Sequence, residues 1–357
     1  FEKGYTPATE VMDVKTDFPT GDPTTPTFTP ANYNGKFNGP VQLRFALGNS
    51  LNIPAVKMLA RVGIKDVMQN GYAMGISNWQ PTDQNLKSVG LSLVLGGRET
   101  TLLDETTAYS VFANKGIRQD PVFLLKVTDS KGNVLYENHP TQGPRVMPEN
   151  ITFLISHILL DNNARLLDFG PNSELVVRGK TVSVKTGTTN DFRDNWTLGY
   201  TPSYVVGVWV GNNDNTPMSN VASGITGAAP IWNRIISYVL KGKNDEPPQK
   251  PDDVNAVTVD ALFGGLPTAG MPTRSEYFIK GTEPTSPSTV YQQKDGKVYY
   301  VVREDDPVST DGQNRWQAGI DAWIKTAHSA ADYQWYPPDD LLKSLNIQPT
   351  NTPTPTP

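Results

Sequence analysis

The chain has 357 residues, 37% of them hydrophobic, which allows a large buried core and about two domains. Its net charge of -5 argues against a nucleic-acid-binding protein, since such proteins usually carry a basic face. The absence of cysteine excludes disulfides and thiolate metal sites, and the longest apolar run, near 204–210, is far too short to span a bilayer.

The first half of the chain alternates loops with helices. Phe1, which is not a methionine, lies inside a predicted helix, so we expect a processed or truncated piece. Residues 18–40 are rich in Pro, Gly, Thr and Asn and predict a long surface loop. Residues 41–64 predict helix, break, helix, with Pro54 near the start of the second helix and Gly63 at its end. Further helices are predicted at 101–116, 148–162 and 226–242.

Strands are predicted in two places. Residues 121–136 have the alternating pattern of a β-hairpin that turns at 130–132. Three strands follow near 180–186, 195–200 and 204–210. The last two are joined by a tight turn, which favours antiparallel pairing.

The composition changes after Gly242. Residues 244–256 predict a Pro-rich linker, 257–340 an extension of unknown role, and 341–357 a disordered Thr/Pro-rich tail. The extension contains tryptophans at 316, 323 and 335. We expect them to form a small core or packing surface, and stacking on a sugar is the alternative.

The predicted strand near 180–186 ends in SVKTGTT, which places a cation, a glycine and hydroxyls together. Lys185 can supply positive charge, and Gly187 lets a ligand approach the backbone closely. On an edge strand the backbone N–H of Thr188 would be a free donor, so an extended peptide could add to the strand and have its carboxylate held there. The alternative is a surface strand that ends in a Thr-rich turn.

A second polar pair, Ser50 and Asn52, lies between two predicted helices in GNSLNIPAV. A hydroxyl can relay a proton, and a side-chain amide can bond to a substrate peptide group. The alternative is structural, with Asn52 as a helix N-cap and Ser50 as a turn residue.

Together the two stretches supply, in the required order, the Ser-x-Asn-type element and the Lys-Thr-Gly element of penicillin-recognising serine enzymes. Their surroundings resemble the transpeptidase domain of class A (bifunctional) penicillin-binding proteins, strongly over 1–243 and weakly to about 285. Among the segments that carry the resemblance are NYNGKFNGPVQLRFALGNSLNIPAVKMLARVG, VKTGTTNDFRDNWTLGYTPSYVVGVWVGNND and GITGAAPIWNRII. The resemblance implies an α+β fold in which helices and a helical lobe flank an antiparallel sheet.

The resemblance also implies a reaction and roles. The parent would be a D,D-transpeptidase that cross-links peptidoglycan stem peptides through a serine acyl-enzyme. Ser50 would relay a proton, Asn52 would bond the substrate backbone, and Lys185 would supply positive potential. The N–H of Thr188 would form half of the oxyanion hole. The implied substrate-binding positions are Thr186, Gly187, Thr188 and Thr189.

One departure from the family is large, because no serine in the chain has a lysine three positions later. In the family that nucleophile motif precedes a segment resembling FEKGYTPATEVMDV. We therefore expect a chain truncated just after its nucleophile and inactive alone. The alternatives are a non-catalytic module that binds peptides or β-lactams, a D,D-carboxypeptidase and a serine β-lactamase.

No metal or cofactor is expected. His157 and Asp161 lie one helical turn apart without a third ligand, and the histidines lack a partnered serine motif. The implied partners are stem peptides ending in D-alanyl-D-alanine, β-lactam antibiotics and other cell-wall synthesis proteins, with no nucleic acid. The expected location is the extracytoplasmic face of the bacterial membrane, with the anchor in a segment absent from this sequence.

Overall fold

The computed structural model describes residues 1–189, 192–218, 223–268, 270–295, 297–327 and 333–334. It combines helices with small, mainly antiparallel sheets, in agreement with the expected α+β class. Within these ranges no helix is both long enough and apolar enough to cross a bilayer.

The α-helices are α1 (Leu43–Gly48), α2 (Asn52–Val62), α3 (Ile64–Met74), α4 (Asp83–Lys87), α5 (Leu102–Ala113), α6 (Glu149–Leu160), α7 (Leu166–Phe169), α8 (Ala228–Val239) and α9 (Arg315–Ala327). The strands are β1 (Glu10–Asp13), β2 (Phe18–Pro19), β3 (Thr27–Phe28), β4 (Gly39–Gln42), β5 (Lys126–Thr128), β6 (Val134–Glu137), β7 (Ser183–Thr188), β8 (Asp194–Tyr200), β9 (Val205–Gly211), β10 (Val254–Asp260), β11 (Thr273–Ile279), β12 (Tyr291–Lys294), β13 (Lys297–Tyr300) and β14 (Tyr333–Gln334). Short 3-10 turns span Ser77–Trp79, Leu91–Leu95 and Asn162–Arg165.

The central sheet is an antiparallel meander in the order β7-β8-β9, as predicted. Two glycines let helices approach its opposite faces. A Cβ on Gly199 would lie 2.3 Å from the ring of Trp232 on α8, and one on Gly207 would lie 2.5 Å from Thr106 on α5. Trp232 is fully buried there with Val184 and other strand residues. The meander therefore lies between α5 and α8, and its first strand, β7, is an edge strand.

Several predicted elements differ from the structure. Residues 1–9 form turns rather than a helix, because Gly4 takes a left-handed φ of 85° and Pro7 follows. The predicted loop 18–40 contains the short β2–β3 pair, and its Phe18 is fully buried. The predicted hairpin is confined to β5 and β6, so its first residues, 121–125, are not strand. Residues 65–100, for which no element was predicted, contain α3 and α4.

The C-terminal extension packs directly against the N-terminal part of the chain. Ile320 and Ile324 of α9 join Met12 and Val14 of the β1 segment in one buried cluster. Trp316 is fully buried against Phe18, so the predicted packing role is confirmed at this tryptophan. Strand β10 begins inside the range predicted as linker, whereas Trp335 and the tail 341–357 lie outside the described residues.

A buried ion pair fastens the same interface. The Glu304 carboxylate lies 2.6 Å from the Lys57 ammonium and 3.0 Å from the Arg61 guanidinium, both on α2. Lys57 also donates to the carbonyl of Met12 at 2.9 Å, and its ammonium lies 5.2 Å from the ring centre of Trp316. These contacts attach helix α2, which begins at Asn52, to the C-terminal extension.

Candidate active site

Ser50 and Lys185 lie in direct contact although 135 positions separate them. The Lys185 ammonium donates to the Ser50 hydroxyl at 2.6 Å and to the carbonyl of Thr186 at 2.8 Å. Ser50 follows α1, and Lys185 is the third residue of β7. The sequence-based expectation that the two side chains face one cleft is met by this bond.

The backbone at Ser50 is set by the way α1 ends. The N–H of Leu51 donates to the carbonyl of Ala46 at 2.9 Å, and the N–H of Ser50 donates to that of Leu47 at 3.2 Å. This pair of bonds is the Schellman helix ending, which places Ser50 in the left-handed position that glycine usually occupies. Ser50 has a φ of 59°, a conformation costly for a side-chain-bearing residue.

Two variants separate this backbone cost from the role of the hydroxyl. Ser50→Ala and Ser50→Gly both lose the bond to Lys185, but only glycine relieves the left-handed strain. We expect the glycine variant to be more stable than the alanine variant by about 1 kcal/mol, measured by urea unfolding. An alanine variant at least as stable as the glycine variant would contradict the strain at this position.

Asn52 is held by a loop rather than used as a helix cap. Its backbone N–H donates to the side-chain oxygen of Asn32 at 2.8 Å, and its side-chain amide donates to the carbonyl of Ala31 at 2.7 Å. The N-cap of α2 is Leu51, so the interpretation of Asn52 as the cap is wrong. The amide keeps a second N–H and its oxygen for further partners.

The outer edge of β7 presents backbone groups away from β8. Arg165 donates to the carbonyl of Val184 at 3.3 Å, and Lys185 donates to that of Thr186. The even-numbered residues of β7 are therefore those whose backbone N–H and carbonyl groups point away from β8. The N–H of Thr189, an odd-numbered residue, bonds to Asp194 at the start of β8. Alternation along an antiparallel strand therefore directs the N–H of Thr188 to the open edge.

The remaining predicted positions lie at the same end of β7. The Thr188 hydroxyl accepts from the N–H of Gly224 at 2.8 Å and keeps its own proton to donate. The Thr189 hydroxyl contacts the Asp194 carboxylate at 3.0 Å and thus closes the turn into β8. A side chain on Gly224 would collide with the carbonyl of Gly187, so this glycine keeps a neighbouring loop against the strand.

Arg165 is a second cation on the same edge of β7 as Lys185. Arg165 is buried, and its guanidinium bonds to the carbonyls of Val184 and Leu159. Burial, together with the charge of Arg165, lowers the pKa of Lys185 from 10.5 to about 8. Two cations with little water around them give this edge a positive potential suited to a carboxylate.

The two residues considered for a metal belong to a different network. His157 and Asp161 both contact Arg44, which also forms a bidentate ion pair with Glu276 of β11. Burial and the charge of Arg44 lower the pKa of His157 to about 4. In the described part of the chain, no group of three potential metal-ligating side chains occurs.

Sequence reasoning missed three residues that shape the site: Asn32, Arg165 and Gly224. Asn32 lies in a loop whose composition predicts only irregular structure. Arg165 precedes the Lys-Thr-Gly element by 20 positions and belongs to no motif. Asn32 and Gly224 begin two of the segments that carry the family resemblance, but their contacts are long-range, so the sequence alone assigned them no role.

Two family models match the chain. The penicillin binding protein transpeptidase domain matches residues 2–237, and the C-terminal domain of penicillin-binding protein 1A matches residues 250–293. The second match begins just before β10 and ends in β12.

Curated relatives and solved structures agree with these matches. The chain is 35% identical to penicillin-binding protein 1A of Aquifex aeolicus over 71% of its own length and 33% of the relative. It is 31% identical to penicillin-binding protein 2D of Bacillus subtilis, with 80% and 40% covered. The matched part of the chain thus spans 33% and 40% of the length of these two relatives.

Among solved structures, penicillin-binding protein 1A from Haemophilus influenzae superposes with a TM-score of 0.71 at 25% identity, covering 80% of this chain and 47% of that one. The PonA1 protein from Mycobacterium tuberculosis, solved in complex with penicillin V, has a TM-score of 0.60 at 23% identity, with 70% and 68% covered. These likenesses confirm the transpeptidase fold expected from the sequence.

Proposed function

The chain belongs to the penicillin-binding protein transpeptidase family, and from that membership we propose that it carries the substrate-binding side of a serine D,D-transpeptidase site. The observation that supports this most directly is the 2.6 Å bond between Lys185 and Ser50 beside the open edge of β7. The substrate would be a peptidoglycan stem peptide ending in D-alanyl-D-alanine, and the site would act on the extracytoplasmic side, where peptidoglycan lies.

Each group has a specific task in this proposal. The peptide adds to β7 as an extra strand, and its carboxylate lies near Lys185 and the hydroxyls of Thr186 and Thr188. The outward N–H of Thr188 stabilises the oxyanion that forms on the attacked carbonyl. Asn52 bonds the peptide backbone, and Gly187 leaves room for it beside the strand.

The reaction proceeds in two steps. A serine oxygen attacks the D-alanyl carbonyl, the peptide bond breaks, and the departing D-alanine amine takes a proton. That proton is the one the attacking serine loses: the lysine of a Ser-x-x-Lys motif accepts it and Ser50 passes it to the amine, while Lys185 donates to the Ser50 oxygen and stays charged. An amine of a second stem peptide then attacks the ester; the serine leaves and takes back a proton from that amine, which gives the cross-link. β-Lactams would enter the same site as substrate mimics.

Binding of a dipeptide tests the proposal. We expect acetylated D-alanyl-D-alanine to shift the backbone NMR signals of 185–188 in the 357-residue chain. Amidation of the peptide carboxylate, or replacement by the L,L peptide, should abolish the shifts. Signals that move only at residues remote from β7 would contradict the assignment of the site.

The affinity should depend on pH through Lys185. The carboxylate of the peptide needs the ammonium form, and the pKa of Lys185 in the free protein is about 8. The dissociation constant is therefore expected to be flat from about pH 6 to 7 and to rise as pH increases through about 8. Calorimetric titrations from pH 6 to 9.5 measure this, and Lys185→Arg should remove the rise, because arginine stays charged.

Covalent labelling tests the chain itself. It has no serine followed three positions later by a lysine, so we propose that it forms no acyl-enzyme alone. Fluorescent penicillin, followed by denaturing gel and intact mass, should give no stoichiometric label. Labelling that disappears in Ser50→Ala would instead identify Ser50 as the nucleophile.

A further inference from the structure

The carboxylate of Asp13 is fully buried and has no task in the proposed reaction. It accepts four hydrogen bonds from the loop that crosses above it. The side-chain amide of Asn32 donates to both of its oxygens at 2.9 Å. Asn38 donates from its backbone at 3.0 Å and from its side chain at 2.6 Å. Three nitrogens make these four bonds, and only an acceptor-only group satisfies all of them, so a carboxylate suits this position better than an amide.

The same loop holds Asn52. Asn32, whose amide nitrogen is held by Asp13 and by the carbonyl of Lys36 at 2.8 Å, turns its amide oxygen to the backbone N–H of Asn52 at 2.8 Å. Its neighbour Ala31 accepts from the Asn52 side chain at 2.7 Å. The amide of Asn32 is thus a bridge, with one end on Asp13 and the other on Asn52. Displacing it would release both the start of α2 and the Asn52 side chain.

The loop is also tied towards Ser50. Asn34 donates to the Asp168 carboxylate at 2.6 Å, and the backbone N–H of Asp168 donates to the side chain of Asn49 at 3.1 Å. Asn49 is the residue before Ser50 and caps the end of α1. Residues 31–38 therefore contact Asn52 directly and reach the neighbour of Ser50 through Asp168, and Asp13 holds this loop near both of its ends.

We propose that Asp13 is a positioning residue for Asn52, which acts through Asn32 to set the direction of the Asn52 amide in the substrate cleft. This proposal rests on the proposed function only for the identity of the group that the Asn52 amide binds. The geometric part concerns the orientation of Asn52 in the unliganded chain. It gives a task to a buried carboxylate that bonds, through Asn32, to the start of α2.

The variant Asp13→Asn tests the geometry directly. It keeps the shape of the side chain but turns one acceptor into a donor, which then faces the N–H groups of the loop. In the chain labelled with ¹⁵N-asparagine, the two side-chain amide protons of Asn52, identified by Asn52→Asp, should move toward the shifts of an exposed asparagine and exchange faster with water, because the bond to Ala31 is weakened. The matched control is Asp17→Asn, which removes an exposed carboxylate four positions away.

A milder variant covers the case in which Asp13→Asn fails to fold. Asn38→Ala removes one donor to Asp13 and keeps the backbone bond, so the loop should loosen while the fold survives. We expect an intermediate change in the Asn52 amide signals. If both variants fold and leave those signals as they are in the parent chain, Asp13 does not orient Asn52 and the proposal is overturned.

A double-mutant cycle tests the consequence for ligand binding. We expect Asp13→Asn to weaken the binding of acetylated D-alanyl-D-alanine about tenfold. Combined with Asn52→Ala, it should weaken binding no further than Asn52→Ala alone, because both changes remove the same interaction. Additive losses would show that Asp13 acts independently of Asn52 and would overturn the proposal. Failure of the parent chain to bind the peptide would count against the proposed function, whereas the amide signals would still decide the role of Asp13.

Discussion

Replacing Lys185 with alanine is expected to weaken peptide binding by roughly tenfold to a hundredfold, the range for hydrogen bonds to a charged group. The ammonium is the nearest cation to the open edge of β7, and its loss also leaves the Ser50 hydroxyl without its donor. The fold should survive, because the variant removes a charge that burial and Arg165 already disfavour. Calorimetric titration with acetylated D-alanyl-D-alanine measures the change.

A matched control separates the effect of losing a lysine at this position from the effect of losing one positive charge elsewhere in the protein. Lys131→Ala removes the same charge from the exposed turn between β5 and β6 and should leave the affinity unchanged. In a protein that also contains the Ser-x-x-Lys motif, Lys185→Ala should in addition slow acylation by penicillin. Parental affinity in the alanine variant would remove Lys185 from the site.

Replacing Glu304 with glutamine is expected to lower the free energy of unfolding by about 3–5 kcal/mol, the usual loss when one partner of a buried ion pair is removed. The carboxylate is buried and serves Lys57, Arg61 and the backbone N–H of Met12 at once. Its neutral replacement would leave the fully buried Lys57 ammonium uncompensated. Urea unfolding, monitored by tryptophan fluorescence, measures the difference.

Two further variants check the reason for this loss. Asp305→Asn removes an exposed carboxylate next in the chain and should change stability by less than about 0.5 kcal/mol. The double change Lys57→Met with Glu304→Leu replaces the pair by apolar groups and should recover most of the loss. If glutamine at 304 were as stable as the parent chain, the ion pair would contribute little to the interface.

The sequence predicted the central elements well because their signals are local. The meander β7 to β9 has alternating apolar residues and tight turns, and α6 has a continuous amphipathic pattern. The pairing of Ser50 with Lys185 came from the order of two motifs and from the family resemblance. No property of either stretch alone would have brought them together.

The remainder depends on tertiary contacts. Asp13 belongs to no predicted element or motif, and its role depends on Asn32 and Asn38, which lie 19 and 25 positions away. The left-handed backbone of Ser50 follows from the ending of α1, at a residue type that rarely takes that conformation. The helix expected around Phe1 is wrong for a local reason, since Gly4 and Pro7 interrupt the segment.

The bond between Lys57 and Glu304 has a consequence for the order in which the chain matures during synthesis. The two residues are 247 positions apart. At roughly 5–20 residues per second, the ribosome adds Glu304 on the order of 10–50 s after Lys57. During that interval helix α2 has neither its anionic partner nor its contact with Trp316. The interface between α2 and the extension can therefore form only after residue 304 has been added, although α2 carries Asn52 and follows Ser50 closely.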